Sequence, residues 1–163
     1  MPSIFKKDGT VTAGNASGIS DGAGALVLAT EEAVEKYDLK PMARIVAFQS
    51  SGVDPTIMGI GPAPAIRGVL DKAGMTLDQI DRIEINEAFA AQFIACEREL
   101  GLNRDICNVN GGAIALGHPT GASGSRIIGH LAHQMKNDKD LKYTIGSACI
   151  GGGQGIAILL ESC

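Results

Sequence analysis

Apolar positions along this chain recur with two periods, and the changes between them mark the elements. An unbroken run from Gly22 to Ala29, GAGALVLA, predicts a buried strand. Thr30 is placed to cap the helix that follows, with Glu31 and Glu32 in its first turn and an end near Asp38. Arg44 to Phe48 predicts a second strand, and a polar loop then runs through Gly61. Ile66, Val69, Leu70 and Ala73 share one helical face, with Gly74 as the natural stop. Arg82 to Asn86 alternates and predicts a third strand. The next helix, about Glu87 to Leu100, carries Phe89, Phe93 and Leu100 in line, and its stretch AFAAQFIA has Gln92 as its single polar residue. A helix apolar nearly all round is buried on all sides, so this one is expected to pack against another domain or subunit. Ile127, Ile128, Leu131, Ala132 and Met135 make one stripe, and two strands, Tyr143 to Ile150 and Gly155 to Leu160, close the chain around a glycine turn. Strand–helix alternation of this kind predicts an α/β fold: a mixed, mainly parallel five-stranded sheet with helices on both faces and an antiparallel C-terminal hairpin.

Residues 1–21 do not fit that alternation. Lys7-Asp8-Gly9 is a turn signal, and TVTAGNASGISDG is small, polar and rich in glycine. The segment reads as a loop left from a junction with something upstream, and 22–163 as the domain proper. A length of 163 residues suits one domain with a sizeable core.

Charge and composition exclude several classes of function. The net charge is −4 with no block of Lys or Arg, which speaks against a nucleic-acid or anionic-membrane surface. Aromatic residues make up 4% and Trp is absent, so base-stacking platforms are not expected. No window has membrane-spanning apolar length, and MPSIFKKDG has no signal-peptide core. Four cysteines, Cys96, Cys107, Cys149 and Cys163, lack metal-ligand spacing and fit a reducing compartment, so the expected location is the cytoplasm and no metal site is expected.

The candidate chemistry gathers around Asn108 to Arg126, NVNGGAIALGHPTGASGSR. Five glycines there let the backbone approach a ligand closely, and the helix beginning after them aims N–H groups at it. His118 is the titratable side chain of this loop: either a satisfied structural histidine, or a base and hydrogen-bond donor. Asn86 falls at the carboxyl end of a strand, where ligand sites of such sheets gather. It is either a turn asparagine or a polar group that holds a water or an oxyanion. Cys149 precedes Gly151-Gly152-Gly153; it is either a small buried hydrophobe or a thiol whose pKa is lowered by a nest of backbone N–H groups. His130 and His133 lie opposite the apolar stripe of their helix and read as solvated, while Cys96 reads as a core residue. The loop before that helix lacks the Gly-Lys-Ser/Thr ending of a nucleotide-binding P-loop.

Three motifs in order, NEAFAAQ (86–92), NVNGGAIALGHPTGASGSR (108–126) and CIGGGQG (149–155), resemble the C-terminal half of thiolases of the acetyl-CoA acetyltransferase and 3-ketoacyl-CoA thiolase type. VTAGNASGISDGAGA and VDPTIMGIGP add to the match, which extends over essentially the whole chain. The resemblance implies reversible Claisen condensation and thiolysis of acyl-CoA, as in fatty acid metabolism, with coenzyme A thioesters as substrate and no separate cofactor. It implies that Cys149 is the acid/base cysteine and that His118 activates the acyl-accepting cysteine. Asn86 would hold an oxyanion-hole water, and Gly151 would line a second oxyanion hole. Ser17, Ala13, Met58, Ala88 and Phe89 match positions along the pantetheine arm of coenzyme A. The family's acyl-accepting cysteine belongs to an N-terminal half of the same fold, packed so that two helices are buried between sheets. The expected partners are therefore that half, in cis or in trans, an acyl-CoA and further copies of the chain. The alternative is a non-catalytic truncated thiolase domain that serves only coenzyme A binding or oligomerisation.

Overall fold

The structure, a computed structural model, describes all 163 residues. Strands β1 (Ala43–Gly52), β2 (Arg82–Ile85), β3 (Tyr143–Ile150) and β4 (Gln154–Ser162) form one sheet in the order β1-β4-β3-β2. Helices α1 (Glu31–Lys36), α2 (Pro62–Ala73), α3 (Ala90–Leu100), α4 (Ala113–Leu116) and α5 (Ser123–Asn137) surround it.

Side chains alternate across a strand, so register decides which residues meet. Ile145 sits beside Ile83 on β2 and Leu159 on β4, and these join Ile66, Val69 and Leu70 of α2 and Phe93 and Cys96 of α3 in the main core. One residue along, Leu160 faces the other way and packs with Ile127, Leu131 and Met135 of α5. Helices therefore cover both faces, and the C-terminal hairpin is antiparallel. Gly146 is required beneath α5, because a Cβ there would lie 2.8 Å from Ile128 Cδ1 and 2.9 Å from Ile127 Cγ2. Gly74 ends α2 in the left-handed region, at φ 65°, as its place after the apolar stripe predicts.

Three expectations need correcting. The sheet has four strands rather than five, and it is not mainly parallel: β2–β3 is parallel, whereas β1–β4 and β3–β4 are antiparallel. The missing strand is Gly22 to Ala29. Residues 21–30 are exposed, and residues 21–29 make no backbone–backbone hydrogen bond. They run extended along α5, with Gly22 against Pro119 and Gly24 against Ser125. An apolar run needs a neighbouring strand to become a strand, and this chain supplies none for it. Finally, the third helix starts at Ala90, not Glu87. Ser17 donates through both its N–H and its Oγ to the Ala88 carbonyl, at 3.1 Å each, and Ala90 N–H donates to Asn15 O at 2.9 Å. That pairing holds Phe89 extended, at φ −146° and ψ 144°. Within the chain, α3 buries Gln92, Phe93 and Cys96 and leaves Ala95 exposed.

The outer edge of β2 is finished by a side chain. Cys107 bridges Ile83 in parallel, and then Asn108 turns at φ 45°. Its Oδ1 accepts from Ile85 N–H at 2.9 Å and its Nδ2 donates to Ile85 O at 2.9 Å, so the carboxamide pairs with the edge as a peptide would. This brings the glycine-rich stretch to the carboxyl end of β2.

Candidate active site

Asn86 follows β2 directly and is 1% exposed. Its backbone N–H donates to Ser147 O on β3 at 2.9 Å, and Cys149 stands two residues further along that strand. The two parallel strands thus end side by side, with a carboxamide on one and a thiol on the other. Such carboxyl ends are where open α/β sheets collect ligands.

Above them lies the 108–126 stretch. Glu87 organises it: Oε1 accepts from Asn108 Nδ2 at 2.9 Å and Oε2 from Ile114 N–H at 3.3 Å. Gly112 lets the carboxylate in, since a Cβ there would sit 2.1 Å from Glu87 Cδ. Gly117, at φ 96°, then turns the chain so that His118 N–H donates to Gly18 O at 2.9 Å. The loop is clamped between Glu87 and the 12–20 segment before the imidazole leaves it.

The imidazole is held at both nitrogens. Nδ1 is 2.7 Å from Ser123 Oγ, and Nε2 is 3.4 Å from Asn86 Nδ2. Ser123 also donates its hydroxyl to Pro119 O at 3.2 Å. A hydroxyl carries one proton, so its oxygen is left to accept from His118 Nδ1–H. Nε2 then carries the lone pair and receives the Asn86 amide. Burial first, and the Arg126 charge second, hold the imidazole below its ordinary range, so at neutral pH it is an unprotonated ring with a basic nitrogen turned to Asn86. Oδ1 of Asn86 is buried with no partner in the chain. A buried acceptor without a donor fits a bound water or a ligand donor.

Cys149 is half-buried, and burial pushes its thiol up, with a backbone hydrogen bond working the other way. The expected lowering by a nest of N–H groups is therefore reversed, because desolvation outweighs the donors. Gly151 lies exposed in the β3–β4 turn, where a Cβ would meet nothing, so packing does not demand a glycine at that position. Gly152 and Gly153 both have φ 87°. Gly153 packs on Val53 and Pro55, and Val53 N–H donates to its carbonyl at 2.8 Å, which ties the turn to the segment carrying Met58.

Among the residues matched to coenzyme A contacts, Ser17, Ala88 and Phe89 lie together through the pairing at Ala88. Ala13 is exposed in the same loop, and Met58 is half-buried in a 3-10 turn that packs against α3 through Gly59 and Gln92. His133 is exposed, as its face predicts, but His130 is not simply solvated. Its ring pairs with Gln134 and Asn110 and lies 3.7 Å from Glu84 Oε1. The pattern of the stripe missed this because Glu84, charged yet 2% exposed, reaches α5 from β2. Pattern reading also passed over Ser123, Arg126 and Glu87. The usable signal was a charged residue inside the alternating strand Ile83-Glu84-Ile85, on the same face as Asn86.

The geometry thus defines an α/β domain with a histidine–asparagine pair and a thiol at the carboxyl ends of parallel strands. Comparison with known proteins gives that class its family. A model described as the thiolase C-terminal domain matches residues 39–162, and one described as the thiolase N-terminal domain matches residues 1–32. The chain is 60% identical over 162 residues to the human mitochondrial 3-ketoacyl-CoA thiolase, covering 99% of this chain and 41% of that one. It is 53% identical over 163 residues to a beta-ketoadipyl-CoA thiolase of Acinetobacter baylyi, with 99% and 40% covered. The crystal structure of the human mitochondrial enzyme superposes with a TM-score of 0.97, and that enzyme has also been solved in complex with CoA. The Bacillus anthracis acetyl-CoA acetyltransferase, 52% identical, superposes at 0.96, with 99% of this chain and 41% of that one covered. The chain belongs to the thiolase family and carries its C-terminal domain. It spans about two-fifths of the length of these relatives.

The names of the mammalian relatives place those proteins in mitochondria, which weighs against the expected cytoplasmic location. Four unpaired cysteines do not distinguish the two compartments. No helix is long and apolar enough to cross a membrane.

Proposed function

We propose that this domain supplies the acid/base half of a thiolase reaction, with an acyl-CoA as substrate and the acyl-accepting cysteine contributed by an N-terminal thiolase half. In thiolysis, that cysteine would attack the 3-keto carbonyl of a 3-ketoacyl-CoA. The C2–C3 bond breaks, the acyl group remains on the cysteine, and acetyl-CoA leaves after its α-carbon takes a proton from Cys149. A thiol pushed up by burial keeps that proton at neutral pH, which suits the donor role. The resulting thiolate then takes the proton of an incoming coenzyme A thiol, which attacks the acyl-enzyme. Run backwards, the same steps are the Claisen condensation.

His118, neutral with Nε2 free to accept, fits the base that activates the acyl-accepting cysteine. Asn86, with its amide on His118 and its Oδ1 unpartnered, fits a residue that holds a water for the thioester oxygen. Gly151 fits the second oxyanion hole, and Ser17, Ala13, Met58, Ala88 and Phe89 fit the pantetheine path. The observation that carries this reading is the Asn86–His118 contact beside Cys149 at the ends of adjacent parallel strands.

The test is reconstitution. The chain is mixed with an N-terminal half of a close relative, and loss of the 3-ketoacyl-CoA absorbance is followed after adding coenzyme A. Turnover is expected in the mixture, with a fall of at least about a hundredfold for Cys149→Ala or His118→Ala, as for loss of a general acid or base. A mixture that forms a complex yet shows no turnover would favour the non-catalytic alternative, a domain that serves only coenzyme A binding or oligomerisation.

A further inference from the structure

Glu84 and Asn86 leave β2 on the same face, two residues apart, and both reach the unit formed by the loop and α5. Asn86 meets His118, while Glu84 Oε2 meets Arg126 Nη1 at 3.3 Å. Arg126 is one turn along from Ser123, and Ser123 holds His118 Nδ1. The contacts form a closed bracket: Glu84, Arg126, the first turn of α5, Ser123, His118, Asn86 and back to β2. Glu84 is 2% exposed and Ser123 is 3% exposed, so neither is an incidental surface contact. One turn further along α5, His130 approaches Glu84 Oε1 at 3.7 Å.

We propose that Glu84 and Arg126 are positioning residues for His118: their part-buried pair fixes the first turn of α5 against β2, so that Ser123 holds the imidazole in its Nδ1–H form with Nε2 facing Asn86. The Arg126 cation beside the ring also disfavours a second positive charge on it. The other ionisable groups on the surrounding elements are His130, His133 and Lys136 on α5, Arg82 on β2 with Glu87 just after it, Tyr143 and Cys149 on β3, and Asp21 after the 12–20 loop. The value of this bracket to catalysis rests on the thiolase reading; its geometry does not, and its test needs no turnover.

The measurement is nitrogen NMR of the imidazoles in the full chain labelled with 15N-histidine, followed from pH 5 to 9. The unmodified protein is expected to show His118 as a single Nδ1–H tautomer at high pH, with a titration midpoint below that of a free histidine. Arg126→Met should raise the midpoint and mix the tautomers, and Arg126→Lys should bring the midpoint back by restoring the charge. Glu84→Gln, which preserves shape, should mix the tautomers without unfolding the chain, and Ser123→Ala should abolish the single tautomer. An unchanged His118 spectrum in Glu84→Gln and Arg126→Met would overturn the proposal, as would an unchanged one in Ser123→Ala. Should Arg126→Met fail to fold, Glu84→Gln decides the question alone. A failed reconstitution with an intact tautomer would count against the proposed function and not against the bracket.

Discussion

Glu84 is the residue whose chemistry departs most from its ordinary range. Burial pushes its carboxyl from 4.5 up to about 7; Arg126 opposes the shift and Glu87 adds to it. The side chain is thus paired and still poorly compensated, because Oε1 has no hydrogen-bond partner. The consequence for stability has a definite sign. Below pH 4.5 the folded and unfolded chains both hold the proton. Between 4.5 and about 7 the unfolded chain releases it first, so stability falls as pH rises, by roughly 3 kcal/mol across the window. Glu84→Gln removes that ionisation. Urea unfolding at a series of pH values should show the variant gaining on the parent chain as pH rises through this window. Equal pH dependence in the two proteins would show that Glu84 does not titrate in it. His118, Asn86 and Cys149 were legible as candidates from their loops and strand ends. Glu84 was not, because a lone carboxylate in an alternating strand looks like the solvated face until the helix covering that face is known.

At the scale of elements, the hydrophobic period located α2, α5, β2, β3 and the closing hairpin, because each buries its apolar face inside this chain. It failed where backbone hydrogen bonds, not side chains, decide the conformation. The segment Glu87 to Phe89 reads as the first turn of a helix, yet Asn15 and Ser17 hold its end extended. Close approaches of glycine are the other feature that period cannot reveal. Gly155 on β4 faces Gly61, at the entrance to α2, so closely that a Cβ would lie 1.9 Å from the Gly61 carbonyl oxygen. The obstacle is backbone, which cannot rotate away. Gly155→Ala should therefore destabilise the domain by about 3 kcal/mol, the upper end of what overpacking costs, read as a lower urea midpoint. Gly121→Ala is the matched control, since a Cβ there meets nothing, and its midpoint should move far less.

At the scale of the whole molecule, the unpaired segment 22–29 decides how the domain behaves alone. Its apolar pattern reads as a strand, yet it forms none, because no strand of this chain lies beside it. Val27 is 93% exposed, Leu28 73% and Ile19 100%, and the backbone between residues 21 and 29 offers unpaired donors and acceptors along its length. An exposed apolar extended segment with free backbone groups is a template for association. The isolated domain should therefore self-associate with rising concentration in sedimentation velocity. Covering a Val or Leu side chain is worth roughly 1.5–3 kcal/mol, so Val27→Lys should weaken that association by about tenfold or more. The segment touches Pro119 through Gly22, and α5 through Gly24 at Ser125 and Arg126 and through Leu26 at Gly129, whereas Val27 points to solvent. The fold should survive the substitution, with an unchanged urea midpoint. A domain that stays monomeric at every concentration, before and after the substitution, would mean that the segment folds back on itself in solution and that its apolar residues find cover within the chain.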